Sequence, residues 1–323
     1  MSSFDAPPIA VIGFSSAASP LEPAWPSTHR ALLPVAGKSL IVHLIEQLAA
    51  GGLRHIRIAG SIQQCAVKQR LGDGSEWGVT IRYSDLHGTE LRVQTLLEHG
   101  HCLHLCGDNL HVGNFATPQA SGRPVAADPA AHSQRPGYWQ LTSSGAHSDS
   151  IAAATGMPYA GDPMLTVQSY HEANIEAASF GRNSLRVPGL AMQPGVAVAW
   201  DCNLAPDLHL GGGIAIGKHC RIDRRVRLEA QCVLGNGVVI ARDTQLESVV
   251  VLPNTFIGAG TRLRDAVVTP LGIFDLDGQF FPISDRSVIG RARSNQEHRT
   301  GIPSEQLSVL EKGTRSRRRC RAA

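Results

Sequence analysis

The sequence is short of several features that would have fixed its class at once. None of its 323 residues belongs to an apolar run approaching the roughly 18 that span a bilayer. The opening MSSFDAPP lacks the basic-then-apolar order of a secretory leader, so a cytoplasmic protein is expected. No CxxC pair occurs. The seven cysteines (Cys65, Cys102, Cys106, Cys202, Cys220, Cys232, Cys320) are odd in number and scattered, which speaks against a disulfide framework or a zinc finger. Cys102, His104, Cys106 and Asp108 do alternate, but in an extended strand they form a line on one face, whereas a tetrahedral site needs convergence. Aromatic residues make up only 5%, and none is interleaved with the arginines of the end KGTRSRRRCRAA. A solvated tail is the plain reading of that run and a contact with an anionic surface the alternative; stacking on bases lacks its partners.

What is present is a repeat. From Leu204 an aliphatic residue recurs every six positions, through Leu210, Ile216, Ile222, Leu228, Leu234, Ile240 and Leu246 to Leu252. The following position is small or acidic in nearly every hexad, and the fifth, from Leu208 and Ile214 to Val250 and Phe256, is apolar or β-branched. A period of six fits neither a helix nor plain strand alternation. Three hexads close one triangular coil of a parallel β-helix, with the aliphatic ladder inside and small residues at the corners. After Leu252 the spacing slips once, to Ile257 and then Leu263. The segment GIFDLDGQFFPI then reads as a hairpin around Asp277 and Gly278.

The first half alternates strands and helices. PIAVIG reads as a buried strand, and LIVHLIEQLAAGGLRHIRIAG as an amphipathic helix that ends at Gly51-Gly52 and passes into a second strand. WGVTIRYS supplies a third strand, residues 90 to 99 a helix, and HCLHLCGD a fourth strand with Asp108 at its tip. An acid at that place in an open α/β sheet faces the crevice where ligands bind.

The segments ALLPVAGKSLIVHLIEQLAAGGL, LGDGSEWGVTIRYSD and CGDNL resemble the sugar-1-phosphate nucleotidyltransferases, the group of the mannose-1-phosphate guanylyltransferases and glucose-1-phosphate thymidylyltransferases. SYHEANIEA is similar to that family's DYLRANxxL, and a C-terminal hexapeptide β-helix is common among its members. The resemblance covers most of residues 9 to 110 and 165 to 270. It implies an α/β chain: a shortened Rossmann-like nucleotidyltransferase-type domain over residues 1–180, with 110–165 irregular, and a left-handed parallel β-helix with a terminal hairpin over 190–285. A C-terminal extension with the basic tail follows over 286–323.

The resemblance also implies a site, and the chain departs from the family's pattern there. The family's GxGTRLxP loop wraps nucleotide phosphates with backbone amides and neutralises their charge with its arginine. Here Ser16 and Ala18 stand for the two glycines and Pro20 for the arginine; Leu21 and Pro23 match. Proline supplies neither charge nor a backbone donor. The lysine before ALLPV is replaced by Arg30, and a base-side motif like LGTAGAL becomes HGTELRV, which keeps Gly88 and Thr89. Asp108 matches the acid that carries Mg2+, a cofactor expected only where nucleotide binds. The second metal-binding aspartate falls at Pro163, with Asp162 one residue early.

The catalytic candidates are therefore Arg30 and Asp108, the nucleotide-binding candidates Ser16, Ala18, Gly88 and Thr89, and the metal candidates Asp108 and Asp162. His219, in GKHC, brings up the hexapeptide acyltransferases with their histidine base, but it falls at an outward hexad position and leaves the first half unexplained. The expected function is that of a catalytically degenerate homologue, a binding, scaffolding or regulatory component of polysaccharide or cell-envelope synthesis with a protein partner in that system. The rival is an active enzyme that joins a nucleoside triphosphate to a sugar 1-phosphate. Partners also include a nucleotide or sugar phosphate, and a second copy of the chain meeting through the β-helix, whose flat face and open end need cover.

Overall fold

The computed structural model describes residues 9–14, 19–22, 24–25, 29–60, 64–99, 101–110, 138–141, 162–163, 166–178 and 185–292. The first strand, β1 (Ile9–Gly13), is buried along its whole length, as an unbroken apolar run in a sheet covered on both faces should be. It is followed by α1 (Leu40–Ala50), β2 (His55–Ile58), α2 (Gln64–Leu71), β3 (Thr80–Tyr83), α3 (Gly88–His99) and β4 (His101–Cys106). The sheet order is β3-β2-β1-β4-β5, with β5 (Tyr138–Leu141) antiparallel at the edge and the other four strands parallel. This is a Rossmann-like arrangement. The chain winds outward from β1 in one direction through β2 and β3 and resumes on the other side at β4. The crevice at the topological switch therefore opens between the carboxyl ends of β1 and β4.

Two of these elements go beyond the sequence reading. The crossover helix α2 was not foreseen, because QCAVKQRL carries little apolar pattern; Val67 and Leu71 pack it against the sheet core. Strand β5 falls in the segment expected to be irregular. Apart from Leu110 and Asp162–Pro163, the rest of that segment lies outside the described residues, as does the whole of the basic tail.

The second half is a stack of coils. Parallel pairing joins Val196 to Ile214, Ala215 to Val233, Val233 to Val250 and Val250 to Val267 along one face. A second face joins Asn203 to Arg221, Arg221 to Val239 and Val239 to Phe256. A third joins His209 to Arg227, Arg227 to Gln245 and Gln245 to Arg262. The chain thus returns beside itself after 18 residues, or three hexads, in the early coils and after 17 in the later ones. Leu228, Ile240 and Leu246 are fully buried between the faces. Leu204, Leu208 and Leu210 are only half-buried, since no coil lies beneath them. Coiling starts at Val196, before the first hexad read from the sequence.

The slip falls one hexad earlier than the spacing indicated. Val251, not Leu252, sits in register with Leu234, and the shortened step lies between Leu246 and Val251. Both residues are aliphatic, so periodicity alone did not choose between them. Leu252 instead joins the core outside the coils. The terminal hairpin forms as expected, Gly272–Asp275 against Phe280–Pro282, with Gly278 at φ 88° in the turn.

The flat face does not wait for a second copy. Ala215, Val233, Val250 and Val267 make an outward apolar column that packs in one cluster with Tyr170, Ala173 and Ala177 of α4 (Val167–Ala178). The same cluster takes in Leu33, Val35 and Leu40 from the first half, so one core joins both halves. Among the described residues no helix is long and apolar enough to cross a membrane.

Replacing Leu228 with Ala is expected to cost about 2–5 kcal/mol through the cavity left between coils, read by denaturant unfolding. Leu228→Asp, which buries an unpaired charge, should abolish the cooperative transition.

Candidate functional site

The site is assembled from the chain segment before α1 and the tip of β4. Residues 30–32 form one tight turn, capped by His29, whose Nδ1 accepts the Ala31 N–H at 3.1 Å. Pro34–Val35 and Lys38–Ser39 then pair antiparallel. The turn between them has two positive φ angles, 44° at Ala36 and 89° at Gly37, and the second explains the glycine. Helix α4 fixes this turn from the far side. Asn174 accepts the Ala36 N–H at 2.9 Å, and the Tyr170 hydroxyl donates to the Pro34 carbonyl at 2.5 Å. The residues of SYHEAN that resemble the family motif are thus buried clamps, and His171 completes the set by bonding the Ser248 carbonyl of the coils at 2.7 Å.

At the tip of β4 the peptide of Gly107 bonds Gly13 of β1 at 2.8 Å. A side chain at Gly107 would meet Phe14 and Ile12, its Cβ 2.5 Å and 2.8 Å from their nearest atoms, so only glycine lets the two strand ends close up. Asp108 follows directly, at the switch point. Its carboxylate meets the Arg30 guanidinium at 3.8 Å and accepts the Cys106 thiol at 2.5 Å. The side chains of Arg30 and Asp108 are 3% and 1% exposed. Burial first, and then the Asp108 charge, push the Cys106 thiol well up, so it stays protonated and donates.

His29 lies beside this pair, edge-on to Phe14 with ring centres 4.7 Å apart. Burial lowers its pKa, against the opposing pull of Asp108 and with the help of Arg30, so the ring is neutral at pH 7. Sequence reasoning passed over His29 and Cys106 as members of the site; adjacency to Arg30 and Asp108 was the only signal. The alternating row resolves into two roles. Cys106 serves Asp108, while His104 faces α3, where Arg92 lies 3.2 Å from its Nδ1. Arg92 is itself buried. It stands where the family motif has a small residue and takes up space under α3. Burial and the Arg92 charge depress His104 to about 3.

Of the residues expected at the site, the structure joins Arg30 to Asp108. Gly88 and Thr89 open α3, with four residues between them and the end of β3, on the same edge of the sheet. Ser16 and Ala18 lie outside the described residues. Asp162 is brought close in the backbone: Asp162–Pro163 pairs antiparallel with Asn109–Leu110, placing Pro163 opposite Asn109 and Asp162 opposite Leu110. Among the described residues no group of three His, Cys, Asp or Glu is placed to hold a metal. Asp108 shares its charge with Arg30, the two side chains 3.8 Å apart.

The fold is a Rossmann-like α/β sheet continued by stacked coils. No protein-family profile matches the chain. Over 63 residues it is 33% identical to the mannose-1-phosphate guanylyltransferase of Mycobacterium tuberculosis (strain ATCC 25618 / H37Rv), a stretch that is 20% of this chain and 18% of that protein. The chain thus matches less than a fifth of this curated relative's length. A Bacillus anthracis chain assigned as a glucose-1-phosphate thymidylyltransferase, solved with sucrose, is 24% identical over 33% of this chain and 46% of its own, at a TM-score of 0.28, too low to bear on the architecture. The relationship to sugar-1-phosphate nucleotidyltransferases is weak and partial.

Asp108→Ala should destabilise by about 3–5 kcal/mol by stranding the Arg30 charge, and Arg30→Met with Asp108→Leu should recover most of it; a double-mutant cycle in urea measures both. A second expectation concerns acid. The folded-state pKa of His104 lies below its ordinary 6.5, so the unfolded chain takes up that proton first. Its contribution is complete above about 6.5 and is lost as pH falls toward about 3. Unfolding free energy measured against pH should show that loss, and His104→Gln should flatten it.

Proposed function

We propose that the chain is a homologue of the sugar-1-phosphate nucleotidyltransferases that has lost catalysis and acts as a binding or scaffolding component, in polysaccharide or cell-envelope synthesis by association with its relatives. The observation that carries this reading is the closed Arg30–Asp108 pair: the acid that resemblance assigns to Mg2+ is spent on an internal cation at the switch point. The proline at position 20 supports it from the nucleotide side, since a backbone without an N–H and a side chain without charge neither cradle nor neutralise a phosphate. Transfer of this kind depends almost wholly on positioning and charge stabilisation, so these losses strike most of the mechanism.

On this reading the crevice between β1 and β4 keeps at most a weak affinity for a nucleotide or sugar phosphate, with Gly88 and Thr89 on its rim. A nucleotide held there brings Mg2+ on its own phosphates. The coils are read as a left-handed β-helix, the sense implied by the hexapeptide resemblance. With the flat face covered by α4, the open end near Leu204 and Leu210 is the part left for contact with a second copy or another protein.

The rival reading, an active transferase, is favoured by the 33% identity to a mannose-1-phosphate guanylyltransferase. Pyrophosphate release, followed with Mg2+ over several pairs of nucleoside triphosphate and sugar 1-phosphate, separates the two. No turnover is expected. Pro20→Arg combined with Arg30→Lys should leave it absent, with circular dichroism to check folding. Turnover of about 1 per second or faster by the unaltered chain would establish the enzyme instead.

A further inference from the structure

The coil register stacks two cysteines. The Asn203 N–H bonds the Cys220 carbonyl at 2.8 Å and the Ala205 N–H bonds the Ile222 carbonyl at 3.0 Å, so Cys202 of one coil lies directly beside Cys220 of the next. Neighbouring parallel strands are about 4.8 Å apart, inside the span of roughly 4.4–6.8 Å over which two Cα atoms accept a disulfide. Their sulfurs occupy equivalent places. Cys202 Sγ is 3.1 Å from the Gly217 carbonyl, and Cys220 Sγ is 3.2 Å from the carbonyl of Gly235, one coil on. On the far side of Cys220 the same column continues with the buried Val238. Cys232 lies two hexads further along, at another corner, against the Leu246 carbonyl.

The surroundings set the two thiols different tasks. Cys202 is half-buried and so reachable from solvent, whereas Cys220 is fully buried. The neighbouring Cys220 thiol lowers the Cys202 pKa, and His219 adds to the effect. Its neighbour Cys202, together with burial, raises that of Cys220. His219 is held by Asp201, Nδ1 to Oδ2 at 2.6 Å, at the corner next to Cys202.

We propose that Cys202 and Cys220 form an oxidisable dithiol, a site where a peroxide closes a disulfide between the first coils of the stack. Cys202 supplies the attacking thiolate. Its sulfur takes one peroxide oxygen, the O–O bond breaks, and the hydroxide released picks up a proton and leaves as water. Cys220 then gives up its thiol proton and attacks the sulfenic sulfur, the S–O bond breaks, and a second water departs as the S–S bond forms. Two thiols are oxidised and one hydrogen peroxide is reduced to two waters. A disulfide draws its Cβ atoms to about 3.8 Å, closer than the coil spacing, so one coil must shift toward the other. The first coil has that freedom, because Leu204, Leu208 and Leu210 have no coil beneath them. The bond would pin the open end, which is otherwise the least buried part of the stack.

The test uses the full chain treated with hydrogen peroxide, alkylated, and mapped by mass spectrometry without reduction. A peptide pair linked through Cys202 and Cys220, reversed by dithiothreitol and accompanied by a rise in Tm, is expected. In Cys220→Ala the Cys202 sulfenic acid should persist and be trapped by dimedone. Cys202→Ser, a change at a half-exposed position that serves if Cys220→Ala fails to fold, should leave Cys220 unoxidised. Linkage of Cys202 to any other cysteine or to a second chain, Cys202 still alkylated after treatment, or Cys220 oxidised at the native rate in Cys202→Ser would overturn the proposal.

Discussion

The arrangement of this protein depends on the double engagement of α4. One side of the helix covers the apolar column of Ala215, Val233, Val250 and Val267 on the coils, and the other packs on Leu33, Val35 and Leu40. Burial of apolar surface supplies the attraction, at roughly 25 cal/mol per Å², and buried polar groups set the geometry. Tyr170 and Asn174 satisfy backbone groups of the Pro34–Gly37 segment, while His171 does the same for Ser248 in the coils. Each of these bonds would be costly to leave unmade in a dry interface. The helix therefore ties the stack to the Pro34–Gly37 segment, which follows the short turn that carries Arg30.

From that turn the consequences run to the crevice. Arg30 is directed inward, and the close approach of the ends of β1 and β4 at Gly107 brings Asp108 to meet it. Both groups leave water, which is tolerable only because each compensates the other and the thiol of Cys106 adds a donor. A carboxylate in this state serves the fold. The neutral His29 and the depressed His104 show the same preference of the interior for uncharged rings. At this edge of the sheet the Asp108 carboxylate shares its charge with the buried Arg30 guanidinium.

Much of the fold was legible because its determinants are local. A six-residue period fixes which side chains face inward, and β1, α1 and the Gly51-Gly52 stop follow from unbroken apolar runs and a glycine cap. Helix α2 escaped notice because it buries two side chains in a polar stretch. The slip was misplaced by one hexad because Val251 and Leu252 are equally apolar, and only pairing with Leu234 and Val268 decides between them. A sequence does not say that a distant helix of the same chain will cover one flat face of the coils, as α4 does here.

At the site the division is sharper. The sequence by itself determined the coil repeat, the α/β order, the proline where a phosphate-binding arginine is expected, and the presence of Arg30 and Asp108 near strand ends, all matters of residue type at short spacing. Only the tertiary structure decided that Arg30 and Asp108 face each other out of water, that Asp162 pairs beside Leu110 with a one-residue offset, and that Cys202 stacks on Cys220. These depend on chain segments meeting across long separations, where contact is set by how surfaces pack and which polar groups can be satisfied, and no local pattern encodes that choice.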